Sequence, residues 1–224
     1  GDTSLVASLI REERIDAIVH FAGSVVVPES IADPLGYYLN NTSKTRDLIE
    51  TAVAGGVRHF VFSSTAAIYG DPVAGPIDED VSPQPVTPYG KSKLMSEWML
   101  RDTAAAHDLS VAVLRYFNVA GCDPSGRTGQ STPGATHLVK VACEAACGKR
   151  DKLTVFGTDY DTPDGTCVRD YIHVTDLADA HIRALQYLEA GGDSVTMNCG
   201  YGRGFSIREV IAAVEHACGR PLPV

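Results

Sequence analysis

The sequence predicts a doubly wound α/β fold built on a parallel sheet. Three observations carry this reading. The runs 16–21, 58–63 and 110–116 have unbroken apolar centres at 17–19, 60–62 and 111–114, as strands covered on both faces do. Stretches of a dozen or more residues with helical signals separate them, the length that a right-handed crossover needs. Pro and Gly punctuate the joints between the segments.

The elements follow in order. Thr3 or Ser4 can cap a first helix with an apolar stripe of Leu5, Ala7, Leu9 and Ile10, ending near Arg14. Residues 16–21 form a buried strand. Pro34 opens a second helix that runs to the stop at Gly55-Gly56. Residues 58–63 form the next strand, and a Pro/Gly-rich loop fills 70–88. Thr87-Pro88 starts a helix to about His107, and 110–116 is a third strand. A long Gly/Pro/Ser/Thr loop occupies 121–134, a length that usually serves function. A helix at about 136–147, a short strand at 153–156, a helix at about 176–189 and a strand at 195–199 come next. Ser206-Ile-Arg-Glu209 reads as a capping box for the last helix, with Phe205 and Val210 spaced as a hydrophobic staple. There is no internal repeat.

Composition narrows the function. The chain has 224 residues, 44% hydrophobic and 21% charged, with a net charge of −9. Such a chain buries a core and is not disordered as a whole. Its acidity argues against nucleic acid and anionic membranes as partners, both of which need a basic face. No stretch approaches the ~20 apolar residues of a membrane span. The six Cys are scattered without a CxxC pair, which reads as plain buried thiols in a reducing compartment. No His, Cys and carboxylate pattern has metal-ligand spacing, so no metal is expected.

Ligands in doubly wound folds sit at the carboxyl ends of the strands. Three clusters fall there: Ser63-Ser64-Thr65, then Tyr89-Gly-Lys-Ser-Lys93 in the first turns of the next helix, then Arg115-Tyr116-Phe117-Asn118. Tyr89 and Lys93 are four apart and share a helix face. A neighbouring ammonium and a helix N-terminus both favour phenolate, which would bring Tyr89 down from about 10 towards a working general base. Thr65 could relay the proton. The same pair also fits an amphipathic helix with a surface Lys; the hydroxyl run on the preceding strand favours chemistry. His20, at a strand end, reads as a satisfied buried histidine.

Phe-Ala-Gly at 21–23, Tyr-Tyr-x-Asn-Asn at 37–41, Ser-Ser-Thr-x-x-x-Tyr-Gly at 63–70, Pro-Tyr-Gly-Lys-Ser-Lys at 88–93 and Leu-Arg-Tyr-Phe-Asn at 114–118 together resemble the extended short-chain dehydrogenase/reductases. The segments 155–160 and 164–174 narrow the resemblance to the UDP-glucose 4-epimerase family, over essentially the whole chain. The resemblance implies an NAD-binding Rossmann part at 1–117, to which 174–199 returns. It implies a smaller α+β UDP-sugar-binding part at 118–173 and 200–224. It further implies a cytoplasmic enzyme that interconverts UDP-glucose and UDP-galactose through a 4-keto sugar, with tightly held NAD. The partner would be a second copy, meeting through the helices that open at Pro34 and Thr87.

By position, the resemblance assigns Tyr89, Lys93 and Thr65 to catalysis. It assigns Asp2, Thr3, Phe21, Ala22, Gly23, Ser24, Val25, Asn40 and Phe117 to the cofactor, together with the catalytic three. Asn118, His137, Leu138, Thr154, Val155, Phe156 and Arg169 go to the UDP-sugar, with Thr65 and Tyr89. Arg169 suits a diphosphate because its fork bonds two oxygens at once; it could equally pair with Asp164 or Asp170. Asn40 could be plain helix-surface polarity.

Three departures stand out. Val25 replaces a Lys, and His137 replaces an Asn. No Gly-x-x-Gly-x-x-Gly loop is present, and Gly200-x-Gly202-x-Gly204 reads as a turn near the sugar. The missing first βαβ unit is expected upstream of Gly1, and further nucleotide contacts beyond Val224. Ala66-Ala67 stand where related dehydratases carry Asp-Glu, which disfavours dehydration. Another nucleotide-sugar epimerase, acting on uronate or N-acetyl sugars, and a non-catalytic Rossmann-like binder remain the alternatives.

Overall fold

The computed structural model describes residues 1–71, 75–132 and 134–224; the parts of the two expected loops at 72–74 and 133 lie outside the described residues. The chain divides into two compact units, Gly1–Tyr116 with Ala178–Cys199, and Phe117–Leu177 with Gly200–Val224.

The first unit holds four parallel strands, β1 (Ala17–His20), β2 (His59–Ser63), β3 (Ser110–Tyr116) and β6 (Val195–Cys199), in the order β1-β2-β3-β6. The registers His20↔Phe62, Ser63↔Leu114 and Tyr116↔Cys199 bring their carboxyl ends to one edge. Continuous apolar runs make this possible. Phe60, Phe62, Val111 and Val113 are buried against Ile49 of α4 (Lys44–Ala54) and Leu100 of α5 (Pro88–Ala106). Each such side chain contributes about 2 kcal/mol or more by leaving water.

Local chemistry sets the helix ends. Thr87 accepts a hydrogen bond from the Gly90 N–H at 3.2 Å, and Pro88 occupies the first turn where no N–H is needed. The first helix, α1 (Thr3–Glu13), is capped by Asp2, which accepts from Leu5 N at 3.0 Å, and not by Thr3 or Ser4. Asp2 sits three residues before that amide, within reach of an orphan N–H. Only Ile10 of the expected stripe is buried; Leu5 and Leu9 are 56% and 46% exposed. The single helix expected from Pro34 is in fact composite. After α2 (Val27–Ala32), a short α3 (Pro34–Tyr37) runs into a π-helical stretch (Tyr38–Ser43) before α4. The wider turn carries Asn40 and Asn41, and such turns recur at functional sites.

The second unit holds β4 (Asn118–Ala120), β5 (Val168–His173) and β7 (Gly204–Ser206), with β5 central, parallel to β4 and antiparallel to β7. These strands are short and partly polar, so the sequence pattern did not reveal them. The strand expected at 153–156 does not form. Leu153 donates its N–H to Pro223 O at 2.7 Å and packs among Ala142, Ala145, Ile211 and Leu222. Two helices frame that cluster, α6 (Leu138–Ala146) and α8 (Ile207–Cys218); α7 (Val174–Glu189) follows β5 directly. The capping box at Ser206 and Glu209 forms as its spacing predicts.

All six cysteines are free thiols, but burial was the wrong expectation for most. Cys122, Cys143, Cys147 and Cys218 are exposed, and only Cys199 is buried. Cys143, Cys147 and Cys218 line an apolar depression of about 510 Å³ on α6 and α8. Among the described residues no helix is long and apolar enough to cross a membrane.

Candidate active site

The site is built on the carboxyl edge of the first unit. Consecutive residues of a strand point to opposite faces, and the end of β2 uses both. The Ser63 hydroxyl lies 2.7 Å from His181 Nε2 of α7, while the Ser64 hydroxyl donates to Glu97 of α5. With both sides held, the chain turns out at Thr65, whose Oγ1 accepts from Ala67 N at 3.1 Å to start a 3₁₀ turn (Ala66–Tyr69).

Tyr89 enters the same place from the first turn of α5, and its hydroxyl is hydrogen-bonded to the Thr65 side chain. Lys93, one turn on, donates from Nζ to Ser63 O at 3.0 Å and stands 4.9 Å from the Phe62 ring centroid. Thr65, Tyr89 and Lys93 are all at least nine-tenths buried. The three residues expected to do chemistry therefore converge.

Their electrostatics correct one expectation. Burial raises the Tyr89 phenol above its ordinary value, and the Thr65 hydrogen bond pulls it back. Desolvation outweighs the help that spacing alone assigns to Lys93. Lys93 is pushed down to about 8 by burial, against the opposing pull of Glu97. Two neighbouring tyrosines are also held as neutral phenols. Burial drives both Tyr37 and Tyr116 up to about 12. The site can thus pass a proton through Tyr89 and Thr65 to a bound hydroxyl, beside a buried ammonium.

The loop after β1 closes one side. Asn41 accepts from Ser24 N at 2.8 Å and donates to Ser24 O at 2.9 Å, while Asn40 Nδ2 donates to Ser24 Oγ at 3.0 Å. Asn40 is thus a loop anchor, not idle polarity. A side chain at Gly23 would place its Cβ 3.2 Å from Asn41 Oδ1 and 3.4 Å from Lys93 Nζ. Ala22 is exposed, as are Phe21 and Val25; the Phe21 ring sits 4.6 Å from that of His181. Asp2 and Thr3 stand at the start of α1, where Asp2 is occupied as a cap. His20 is the satisfied buried histidine expected, 3.1 Å from Thr45 Oγ1 and stacked on Phe62.

The remaining expected residues lie in the second unit. Phe117 precedes β4, and Asn118 opens it opposite Tyr171. His137 precedes α6 with Nδ1 2.9 Å from Gln130 Nε2, and Leu138 begins that helix. Thr154, Val155 and Phe156 lie in irregular chain, with Phe156 79% exposed. Arg169 is exposed and donates to Val168 O, without an ion pair to Asp164 or Asp170 among the described residues. Asp164 is taken by Ser206 and Thr166, and Asp170 by the amides of Tyr201 and Gly202, which close the glycine turn. Sequence reasoning missed Asn41, Glu97 and the Arg115 contacts. Glu97 repeats the Tyr89–Lys93 spacing once more, which was the available signal.

A model of the NAD dependent epimerase/dehydratase family matches residues 1–200. A UDP-glucose 4-epimerase of Azospirillum brasilense is 58% identical over the whole chain, which spans 64% of that relative's own length. A UDP-glucose 4-epimerase of Brucella ovis, solved in complex with NAD, superposes with a TM-score of 0.97 at 43% identity, over all of this chain and 69% of that one. A UDP-glucose 4-epimerase of Bifidobacterium longum, solved with NAD+ and UDP, gives 0.91 at 40% identity, over 99% of this chain and 67% of that one.

Proposed function

The chain belongs to the NAD dependent epimerase/dehydratase family, and on that premise we propose that it serves in the interconversion of UDP-glucose and UDP-galactose, by reversible oxidation at C4 with tightly held NAD. The observation that carries this reading is the meeting of Thr65, Tyr89 and Lys93 at one strand edge. The relatives and solved neighbours named above support it.

The residues fit the nicotinamide end of a dinucleotide. Gly23 keeps the space beside Lys93 Nζ and Asn41 open, since a Cβ would encroach on both. Lys93 spends one N–H on Ser63 O, which leaves two for ribose hydroxyls. Phe21, Ala22, Ser24, Val25 and Asn40 form the rest of this bank; Asp2 and Thr3 are assigned to the adenine side, and Phe117 to the cofactor. When bound, NAD supplies the hydride exchange that turns the C4 alcohol into a ketone and back. Tyr89 takes the proton of the 4-hydroxyl, directly or through Thr65 Oγ1, and returns it in the reverse step. Lys93 stabilises the phenolate. Asn118, His137, Leu138, Thr154, Val155, Phe156 and Arg169 bind the UDP-sugar, with Arg169 on the diphosphate.

Ala66 and Ala67 leave the turn after Thr65 without the carboxylates that dehydration would need. A homodimer is supported by the exposed Leu35, Leu39, Met95 and Trp98 on the elements that open at Pro34 and Thr87. Six free thiols support a reducing, cytoplasmic location, and a place in galactose metabolism follows from the proposed reaction.

The test is to incubate the natural protein carrying this chain with UDP-galactose and to follow UDP-glucose without added NAD. Conversion supports both the reaction and the retained cofactor; no conversion with or without NAD overturns the reading.

A further inference from the structure

Glu97 has no place in the proton path, yet it is the most enclosed charge of the first unit. It follows Lys93 by one turn of α5 and Tyr89 by two, so all three share a face. Its side chain is fully buried. Arg115 of β3 donates to it from Nε at 3.2 Å to each oxygen and from Nη2 at 2.7 Å, and Ser64, the residue after β2, donates from its hydroxyl. Arg115 also donates to Tyr69 OH at 2.9 Å, and Tyr69 donates to Asn198 Oδ1 at 2.8 Å. One carboxylate therefore joins α5, the end of β2 and the end of β3.

Stability is a weak reason to keep such a pair, because a buried ion pair is often no better than apolar packing of the same volume. Its placement gives a better one. Ser64 precedes Thr65, and Lys93 lies one turn from Glu97. The groups that face Lys93 are few. His20 comes from β1, the Ser63 carbonyl and Phe62 ring from β2, Asn41 from the π-helical stretch, and Tyr89 and Glu97 from α5. Of these only Glu97 is a carboxylate; Arg115 is spent on Glu97 itself.

We infer that Glu97 is a positioning residue, whose charge holds Lys93 as an ammonium and whose bonds to Ser64 and Arg115 fix the register of Thr65 against Tyr89. This rests on the proposed function for its meaning in catalysis, but its test does not. Burial already brings Lys93 down to about 8. Without Glu97 only the Ser63 carbonyl and the Phe62 ring oppose that burial, and the amine loses its proton at a lower pH.

The experiment follows the lysine ¹³Cε resonances of the full chain by NMR against pH, without substrate or cofactor, with Lys93 assigned by its loss in Lys93→Met. Glu97→Gln keeps the shape and an acceptor for Ser64 and removes the charge. The Lys93 midpoint should fall by about one pH unit or more, and Glu97→Asp should restore most of it. Should Glu97→Gln not fold, Glu97→Gln/Arg115→Gln removes both charges and leaves no lone guanidinium; the midpoint should again fall. A midpoint that stays at the wild-type value in a folded variant, with only a lower Tm, overturns the inference and leaves the epimerase reading intact. An inactive wild type whose midpoint responds to Glu97 overturns that reading and leaves the electrostatic hold in place.

Discussion

Lys93 Nζ and the carbonyl oxygen of Ser63 lie 3.0 Å apart, which pins the buried ammonium to the last residue of β2. Holding a charge there costs stability. The folded value of about 8 lies below the ordinary 10.5, so the unfolded chain binds the proton more tightly. The penalty is full below pH 8 and is relieved as pH rises from about 8 to 10.5, by up to about 3 kcal/mol. Lys93→Met should therefore raise Tm at pH 7 and abolish the gain that the wild type shows between pH 8 and 10, while abolishing turnover. Thermal melts across that range, read against the wild type, check it.

Tyr89→Phe removes the phenol and its bond to Thr65 but leaves the ring in place. Turnover of the natural protein should fall by a factor of about 10² or more, the usual scale for a lost general base. Stability should change by only about 1 kcal/mol. Steady-state kinetics with UDP-galactose and a urea melt measure the two effects separately. Near-wild-type turnover would remove Tyr89 from the chemistry.

His20 gives an acid limb. Burial, aided by the charge on Lys93, lowers it to about 4 from 6.5. Above pH 6.5 both states are neutral and the shift has no effect. As pH falls from 6.5 to about 4 the unfolded chain gains a proton that the folded chain refuses, so stability drops by up to about 3 kcal/mol. His20→Gln can still bond Thr45 and should flatten this limb. Urea unfolding at a series of pH values between 7 and 4 shows whether it does.

Gly90→Ala should destabilise, against helix propensity, which favours Ala by about 1 kcal/mol. The new Cβ would stand 2.6 Å from Ala67 O and 3.0 Å from Pro85 Cβ. The first is backbone, and moving it shifts the 3₁₀ turn that follows Thr65. Overpacking of this kind costs about 1–3 kcal/mol. A Tm above that of the wild type would show that the turn can give way freely.

The sequence showed some of this and hid the rest for physical reasons. The strands of the first unit were legible because a strand covered on both faces needs an unbroken apolar centre, as Phe60–Phe62 and Val111–Leu114 provide. Val168–His173 was not, because only its fifth residue is buried and half of its side chains are polar. The run at 153–156 looked like a strand, but Leu153 gives its N–H to Pro223, a partner seventy residues away. Helix spacing exposed Tyr89 and Lys93 together. The pairing of Glu97 with Arg115 stayed hidden, since spacing cannot tell which strand faces a helix. The direction of the Tyr89 shift was misjudged because depth is a tertiary property, and at this site depth outweighs the nearby charge.

Gly23→Ala tests where the cofactor lies. Its backbone is outside the left-handed region, so Ala is allowed there without strain. The added methyl would stand 3.2 Å from Asn41 Oδ1 and 3.4 Å from Lys93 Nζ, contacts that a shift of a few tenths of an ångström relieves. The folded chain should therefore tolerate it, with stability changed by less than about 1 kcal/mol. A nicotinamide ribose beside Lys93 would lose that space, and NAD affinity of the natural protein should weaken about tenfold or more, equal to about 1.4 kcal/mol. Titration calorimetry with NAD gives the Kd, and a thermal melt without NAD gives the stability. An unchanged Kd in a stable variant would place the ribose away from Gly23, and with it the second role assigned to Lys93.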